Sequence, residues 1–131
     1  MTERQQEVQR WLDYASQDFA AAKHLMSSMR PCPYEIVCFH CQQAAEKVLK
    51  AYLISLGKDI PRTHDLSELC RNCFPDNRPE AIFIASARLT SYAVQARYPN
   101  NLELTEADSS LAIEDAQSLM DFSDMFGNEQ V

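Results

Sequence analysis

Glycine is almost absent from this chain, and its scarcity limits the possible folds more than any other feature. Only Gly57 and Gly127 occur among the 131 residues. β-Hairpins and the loops that cradle phosphates or dinucleotides use glycine for tight turns with positive φ. The sequence therefore predicts long helices with short connections. Because 46% of the residues are hydrophobic, which suffices for one core, we expect residues 1–131 to form a single domain.

Apolar residues recur at helical spacing in five segments, which the prolines divide. The segments cover about 3–28, 34–56, 64–72, 79–96 and the residues after 105. Gly57 is a natural residue to follow the second helix, and Thr63 is the expected N-cap of the third. Thr105 and Asp108 indicate a capping box at the start of the fifth, which is expected to carry Leu111 inward. The pattern predicts an all-α fold, an up-and-down four-helix bundle with an additional short helix.

Charge and cysteine content restrict the partners and the location. The net charge of −7 repels polyanions, so it disfavours generic binding of RNA or DNA. No apolar run approaches the roughly 18 residues of a membrane-spanning helix. The five cysteines are an odd number with spacings unlike those of a secreted disulfide scaffold. We therefore expect a cytoplasmic protein that does not enter a membrane.

The second helix combines a wide apolar arc, which extends to Leu56, with a polar arc that includes Gln42 and Glu46. The polar side places His40, Gln43, Lys47 and Lys50 in one row, at spacings of three, four and three. An imidazole, an amide and two ammonium groups suit a phosphate or the edge of a nucleotide. An ordinary solvated face or a dimer seam, with a Glu46–Lys50 pair at i,i+4, explains the row equally well.

Residues 38–51, CFHCQQAAEKVLKA, closely resemble the signature helix of HEPN domains. Three further motifs stand in the order that the family has along the chain. They are residues 11–19 in the first helix, the Thr-His-Asp-Leu of 63–66 and the Ala-Arg-Tyr-Pro of 96–99. The resemblance covers about residues 11–122. It implies a five-helix domain that is commonly a homodimer. Many members are encoded beside, or fused to, a minimal nucleotidyltransferase, in toxin–antitoxin pairs among others.

Ribonuclease members of the family carry an Arg followed, after four to six intervening residues, by a His. The chain has three histidines, His24, His40 and His64, and none has an Arg at this spacing. We therefore expect a binding module with no catalytic residue and no cofactor, which is not itself strongly catalytic. The alternative is a metal-independent endoribonuclease toxin with a nonstandard site, in which His64 acts as acid or base and Arg97 stabilises charge.

Two further motifs are expected to line a ligand-binding groove of the homodimer together with the row of the second helix. His64 and Asp65 begin the short helix, where an anion can dock, although Asp65 can equally cap the helix while His64 packs on the second helix. Arg97 suits a phosphate and Tyr98 a base, although the helix dipole alone also favours Arg97 at that helix end. The expected ligand is a nucleotide or the tail of a nucleotidyltransferase partner. The predicted ligand-binding residues are His40, Gln43, Lys47, Lys50, His64, Arg97 and Tyr98.

Two CxxC pairs, Cys38 with Cys41 and Cys70 with Cys73, have the spacing of a four-thiolate zinc site. However, Cys38 and Cys41 lie in the middle of a helix on its apolar arc, where cysteine behaves as a small hydrophobic residue. We therefore expect no metal site. The aromatic residues at helical spacing, Trp11 among them, are assigned to the core or to an interface rather than to a base-stacking platform.

Overall fold

Helices make up all the regular structure among the residues that the computed structural model describes, 1–95 and 103–128. They are α1 (Glu3–Ser28), α2 (Tyr34–Ser55), α3 (Leu66–Cys73), α4 (Glu80–Leu89), α5 (Tyr92–Gln95) and α6 (Glu106–Asn128). The helix α2 lies at the centre and contacts each of the other five. The prediction of an all-α bundle with an additional short helix, α3, is confirmed.

The first helix has the predicted bounds, because its local signals agree. Thr2 accepts a hydrogen bond from the backbone N–H of Gln5, and the Gln5 side chain accepts one from the backbone N–H of Thr2. This capping box satisfies the first free N–H groups of α1. One apolar stripe then packs against α2 and α6. Its buried residues are Val8, Leu12, Ala15, Phe19 and Ala22.

The central position of α2 buries more of this helix than its sequence pattern predicts. Gln42 and Glu46, which the pattern places on the polar side, are 0% and 5% exposed. At the other extreme, Leu56 was expected on the apolar arc and is 44% exposed. Leu56 lies beyond the last residue of α2, and Gly57 follows with a φ of +74°. The chain therefore turns away from the core at this point.

Side chains cap the first turns of α3 and α6. Asp65, rather than the predicted Thr63, is the N-cap of α3, because its carboxylate accepts hydrogen bonds from two backbone N–H groups of the first turn. Thr63 instead accepts a hydrogen bond from the N–H of Asp65. The capping box predicted at the start of α6 is confirmed by reciprocal hydrogen bonds of 2.7 and 3.3 Å between Thr105 and Asp108.

The single helix predicted over 79–96 is interrupted after Leu89. The Thr90 hydroxyl donates a hydrogen bond to the Ser86 carbonyl oxygen and accepts one, of 3.1 Å, from the backbone N–H of Leu66. The second bond attaches the first residue of α3 to the end of α4. Hydroxyl groups that bond to the backbone in this way compete with helix continuation. The chain resumes as α5 at Tyr92.

The inward face of α6 also differs from the prediction. Leu111 is 40% exposed, whereas Asp115, one turn later, is 3% exposed. Arg88 of α4 donates two hydrogen bonds to the Asp115 carboxylate, at 3.0 and 2.6 Å. This bidentate ion pair compensates the buried charge and links α6 to α4. In the part of the chain that the structure describes, no helix has the length and apolar character needed to cross a bilayer.

Candidate functional site

The polar row of α2 is held from the side by an acidic residue of α1. The Oδ1 atom of Asp18 lies 2.9 Å from Nδ1 of His40, and its Oδ2 atom accepts a hydrogen bond from Nζ of Lys47. The Asp18 side chain is 13% exposed. One carboxylate therefore links α1 to two residues that lie two turns apart on α2.

A second carboxylate, that of Glu46, organises the rest of the row. Its Oε1 atom accepts a hydrogen bond of 3.0 Å from the Gln42 amide and lies 3.0 Å from Nδ1 of His64. Its Oε2 atom accepts a hydrogen bond of 2.9 Å from Nζ of Lys50. The Gln43 amide in turn donates to the Gln42 side-chain oxygen at 2.7 Å. The network thus joins α2 to the loop before α3.

The buried position of Glu46 determines how many partners it needs. Burial alone would raise the pKa of this carboxyl group, because it disfavours the charged form. The hydrogen bonds from Lys50, Gln42 and His64, together with the positive charge of Lys50, outweigh burial and hold the pKa below its ordinary value of 4.5. Glu46 is therefore a carboxylate at neutral pH.

The same contacts leave N–H donors of the two lysines free on the side that faces solvent. An ammonium group has three N–H donors, and the carboxylates of Asp18 and Glu46 each use one. The side chains of Lys47 and Lys50 are 25% and 14% exposed, so solvent reaches both. The His64 side chain is 64% exposed, and its Nε2 atom has no hydrogen-bond partner among the described residues. These are the groups that can meet a ligand.

Five residues of the predicted site lie in two hydrogen-bond networks: His40 and Lys47 around Asp18, and Gln43, Lys50 and His64 around Glu46. Their role in binding stays a prediction. The structure also shows Asp65 as a cap and His64 against α2. Arg97 and Tyr98 lie outside the described residues, so the role expected for them stays a prediction too.

Three residues of these hydrogen-bond networks were not among the predicted site residues: Asp18, Gln42 and Glu46. Glu46 was considered only as a surface partner of Lys50, and Gln42 only as part of the polar arc. A signal was available for Glu46, since Phe39 and Leu53, two turns before and after it on the same face of the helix, are apolar. The sequence signal for Asp18 was its place in the family motif of residues 11–19. Its partners are 22 and 29 positions away, so no local spacing identifies them.

The cysteines behave as core residues. The Cys38 thiol lies 3.7 Å from the Ser109 hydroxyl of α6, whereas the Cys70 thiol donates to the Ser86 hydroxyl of α4. Burial raises the pKa of Cys38 to about 11 and that of Cys73 to about 12. Thiols with raised pKa are poor nucleophiles and poor metal ligands. No cluster of three or more potential metal ligands occurs within residues 1–95 and 103–128.

Comparison with known proteins identifies the family of this bundle. The sequence model of the HEPN domain family matches residues 8–126. The chain belongs to the HEPN domain family. Among solved structures, TT1696 from Thermus thermophilus has a TM-score of 0.79 and 24% sequence identity, covering 95% of this chain and 98% of that one. No curated protein sequence matches.

A second solved relative, ST0689, is described as an archaeal HEPN homologue. Its TM-score is 0.75 at 26% identity, and the match covers 92% of this chain and 98% of that one. The resemblance of residues 38–51 to the HEPN signature helix is thus confirmed at the level of the family. In this HEPN domain the signature helix is α2, and its polar residues anchor α1 and the loop before α3.

Replacing Glu46 tests whether its charge stabilises the domain. At pH 7, Glu46→Gln should lower the free energy of unfolding by about 1.5–3 kcal/mol, the usual contribution of hydrogen bonds to a charged group. Because the folded pKa is lowered, the stabilisation is present above the unfolded pKa of 4.5 and is lost as the pH falls through the folded pKa. Urea unfolding at several pH values should show the two proteins converging in acid.

The exposed Glu114 provides the matched control. Glu114→Gln should change the free energy of unfolding by less than about 0.5 kcal/mol at each pH. A constant difference between the native protein and Glu46→Gln from neutral to acidic pH would show that the carboxylate charge contributes nothing.

Proposed function

We propose that this HEPN domain is a binding module in which the polar row of α2, His40, Gln43, Lys47 and Lys50, lines a groove that receives the phosphate of a nucleotide, and that it works in the cytoplasm with a protein partner. The observation that supports this most is the position of Lys47 and Lys50. Each ammonium group is oriented by a buried or nearly buried carboxylate and keeps N–H donors on the open side. Donors that are held in place before binding lose little entropy when a ligand arrives.

The charge balance of the groove supports a small anion better than a polyanion. Asp18 and Glu46 carry two negative charges, and Lys47 and Lys50 carry two positive charges, so these four side chains sum to zero. The protein as a whole carries −7. The groove is therefore a locally neutral part of an acidic surface, in which a phosphate meets N–H donors without a large repulsion. A long polyanion would also meet the surrounding negative charge.

Nucleotide binding should appear as a higher melting temperature. A nucleotide present at 100 times its dissociation constant stabilises the folded state by about 2.7 kcal/mol. We expect Lys47→Met and Lys50→Met to reduce this shift strongly, because methionine keeps much of the apolar chain and removes the N–H donors. The measurement is a thermal-shift scan with nucleoside mono- and triphosphates, with and without magnesium.

Lys23→Met is the matched control, since Nζ of Lys23 lies 4.5 Å from the centre of the Phe19 ring, away from the groove. This variant should keep the full shift. If no nucleotide raises the melting temperature, or if the groove variants respond like the native protein, the groove does not bind nucleotides.

The proposed protein partners are a second copy of the chain and a nucleotidyltransferase, as family members commonly have. Exposed apolar residues on the adjoining helices α4 and α6, Ile84 and Leu111, are 45% and 40% exposed and are available for such a contact. All five cysteines are free thiols, which a reducing cytoplasm maintains.

Light scattering tests the second copy of the chain, and co-purification tests the nucleotidyltransferase. The purified protein should have twice the 15.0 kDa mass of one chain. Leu111→Glu should reduce the measured mass to that of one chain. When the tagged protein is purified from its native host, a nucleotidyltransferase should co-purify with it and be identified by mass spectrometry. A monomer that retains no nucleotidyltransferase would contradict the proposed assembly.

One contact favours a second candidate function, metal-independent cleavage of RNA. The Glu46 carboxylate holds Nδ1 of His64 and leaves the other ring nitrogen towards solvent. General acid–base catalysis uses imidazole groups oriented in this way. The candidate predicts that the protein cleaves RNA in the presence of a chelator and that His64→Ala abolishes cleavage. His24→Ala, at an exposed position on α1, should have no effect. Intact RNA after long incubation at high protein concentration would exclude this function.

A further inference from the structure

A depression on α1 lies beside Lys50 of the polar row and has a different chemical character. It encloses about 250 Å³ and is lined by Glu7, Arg10, Trp11 and Tyr14. Trp11 packs partly against the core, so part of its surface remains accessible. Tyr14 is 55% exposed. Two large aromatic side chains within one turn of a helix, both reachable by solvent, form a surface on which a planar group can stack. We call these two residues the aromatic shelf.

The aromatic shelf is continuous with the row of ammonium groups. Nζ of Lys50 lies 5.7 Å from the centre of the Trp11 ring, and the same ammonium group bonds to Glu46. At the other end of the shelf, Tyr14 is followed one turn later on α1 by Asp18, which holds Lys47. Stacking surface and phosphate donors are therefore neighbours. A nucleotide has the same arrangement, since a single ribose joins its base to its phosphate.

The polar residues beside the shelf have unused hydrogen-bonding capacity. Glu7 and Arg10 are three positions apart, so their side chains are neighbours on the helix surface. Within the described residues, neither side chain forms a hydrogen bond or an ion pair. A carboxylate accepts two hydrogen bonds side by side, and a guanidinium group donates two in parallel. The pair can therefore read two adjacent edges of one base.

Guanine has the edges that match this pair. Its N1–H and N2–H groups are adjacent donors for a carboxylate, and its O6 and N7 atoms are adjacent acceptors for a guanidinium group. Adenine offers one donor group, at N6, beside the acceptor N7. It therefore leaves half of the hydrogen-bonding capacity of the Glu7 carboxylate and the Arg10 guanidinium group unused. From these contacts we infer that Trp11 and Tyr14, with Glu7 and Arg10, form the base subsite of a guanine nucleotide. The inference rests on the proposed function, because the phosphate lies on Lys47 and Lys50.

The single tryptophan makes the subsite directly observable. Trp11 is the only tryptophan in the chain, so its fluorescence reports on this position alone. We expect GMP to quench the fluorescence saturably and AMP to require at least about tenfold more ligand, because a mismatched base forfeits part of the edge contacts. Ribose 5-phosphate, which has no base, should raise the melting temperature without quenching.

Variants on α1 separate stacking from edge recognition. Tyr14→Ala should weaken GMP binding about tenfold, in line with the loss of a base–aromatic contact, and leave binding of ribose 5-phosphate unchanged. Glu7→Gln should remove the preference for GMP over AMP. Glu3→Gln, one turn earlier on the same helix and outside the depression, is the matched control and should bind like the native protein.

The outcomes distinguish the two proposals. A melting shift with ribose 5-phosphate but no quenching by GMP, or equal affinity for GMP and AMP, would overturn the base subsite and leave the phosphate site intact. If neither GMP nor ribose 5-phosphate changes the melting temperature or the fluorescence, both proposals are wrong. Quenching by GMP that Tyr14→Ala and Glu7→Gln alter as described supports both.

Discussion

The buried carboxylate of Glu46 is the group on which the polar side of the bundle depends. An ionised group costs several kcal/mol to remove from water unless charge and hydrogen bonds compensate it. Glu46 lies on α2, the helix that contacts all the others, so it cannot turn towards solvent without disturbing the core. Gln42, Lys50 and His64 supply the compensation. Meeting this requirement holds the Lys50 ammonium group in place and attaches the loop before α3 to α2.

The same requirement shapes what the groove can do. Each lysine of the row spends one donor on a carboxylate, and the remaining donors face outward in defined positions. Under the proposed function, a ligand would meet a few oriented N–H groups in a locally neutral setting, which suits recognition of a small phosphate ester. Asp115 and Arg88 show the same chemistry in a structural role, where both carboxylate oxygens are bonded. No open row of donors adjoins that pair in the described part of the chain.

Several elements of the fold followed from local sequence, and the errors occurred where distant residues compete. The bounds of α1 and the capping box at Thr105 were correct, because the groups that form them are three or four positions apart. The break after Leu89 was missed, because Thr90 bonds to the N–H of Leu66, 24 positions away. The exposure of Leu111 was also missed, since the packing of α6 buries Ala112, Ala116 and Leu119 instead, together with the ion-paired Asp115.

By itself, the sequence determined an all-helical bundle of the HEPN family and the row of polar residues along α2. Few glycines, helical spacing of apolar residues and the signature motif all act over short distances. Only the tertiary structure decided what this row contacts. Asp18 reaches His40 across 22 positions, and His64 returns to Glu46 across 18. Such pairs depend on the register and rotation of packed helices, which core packing sets and which no local spacing specifies.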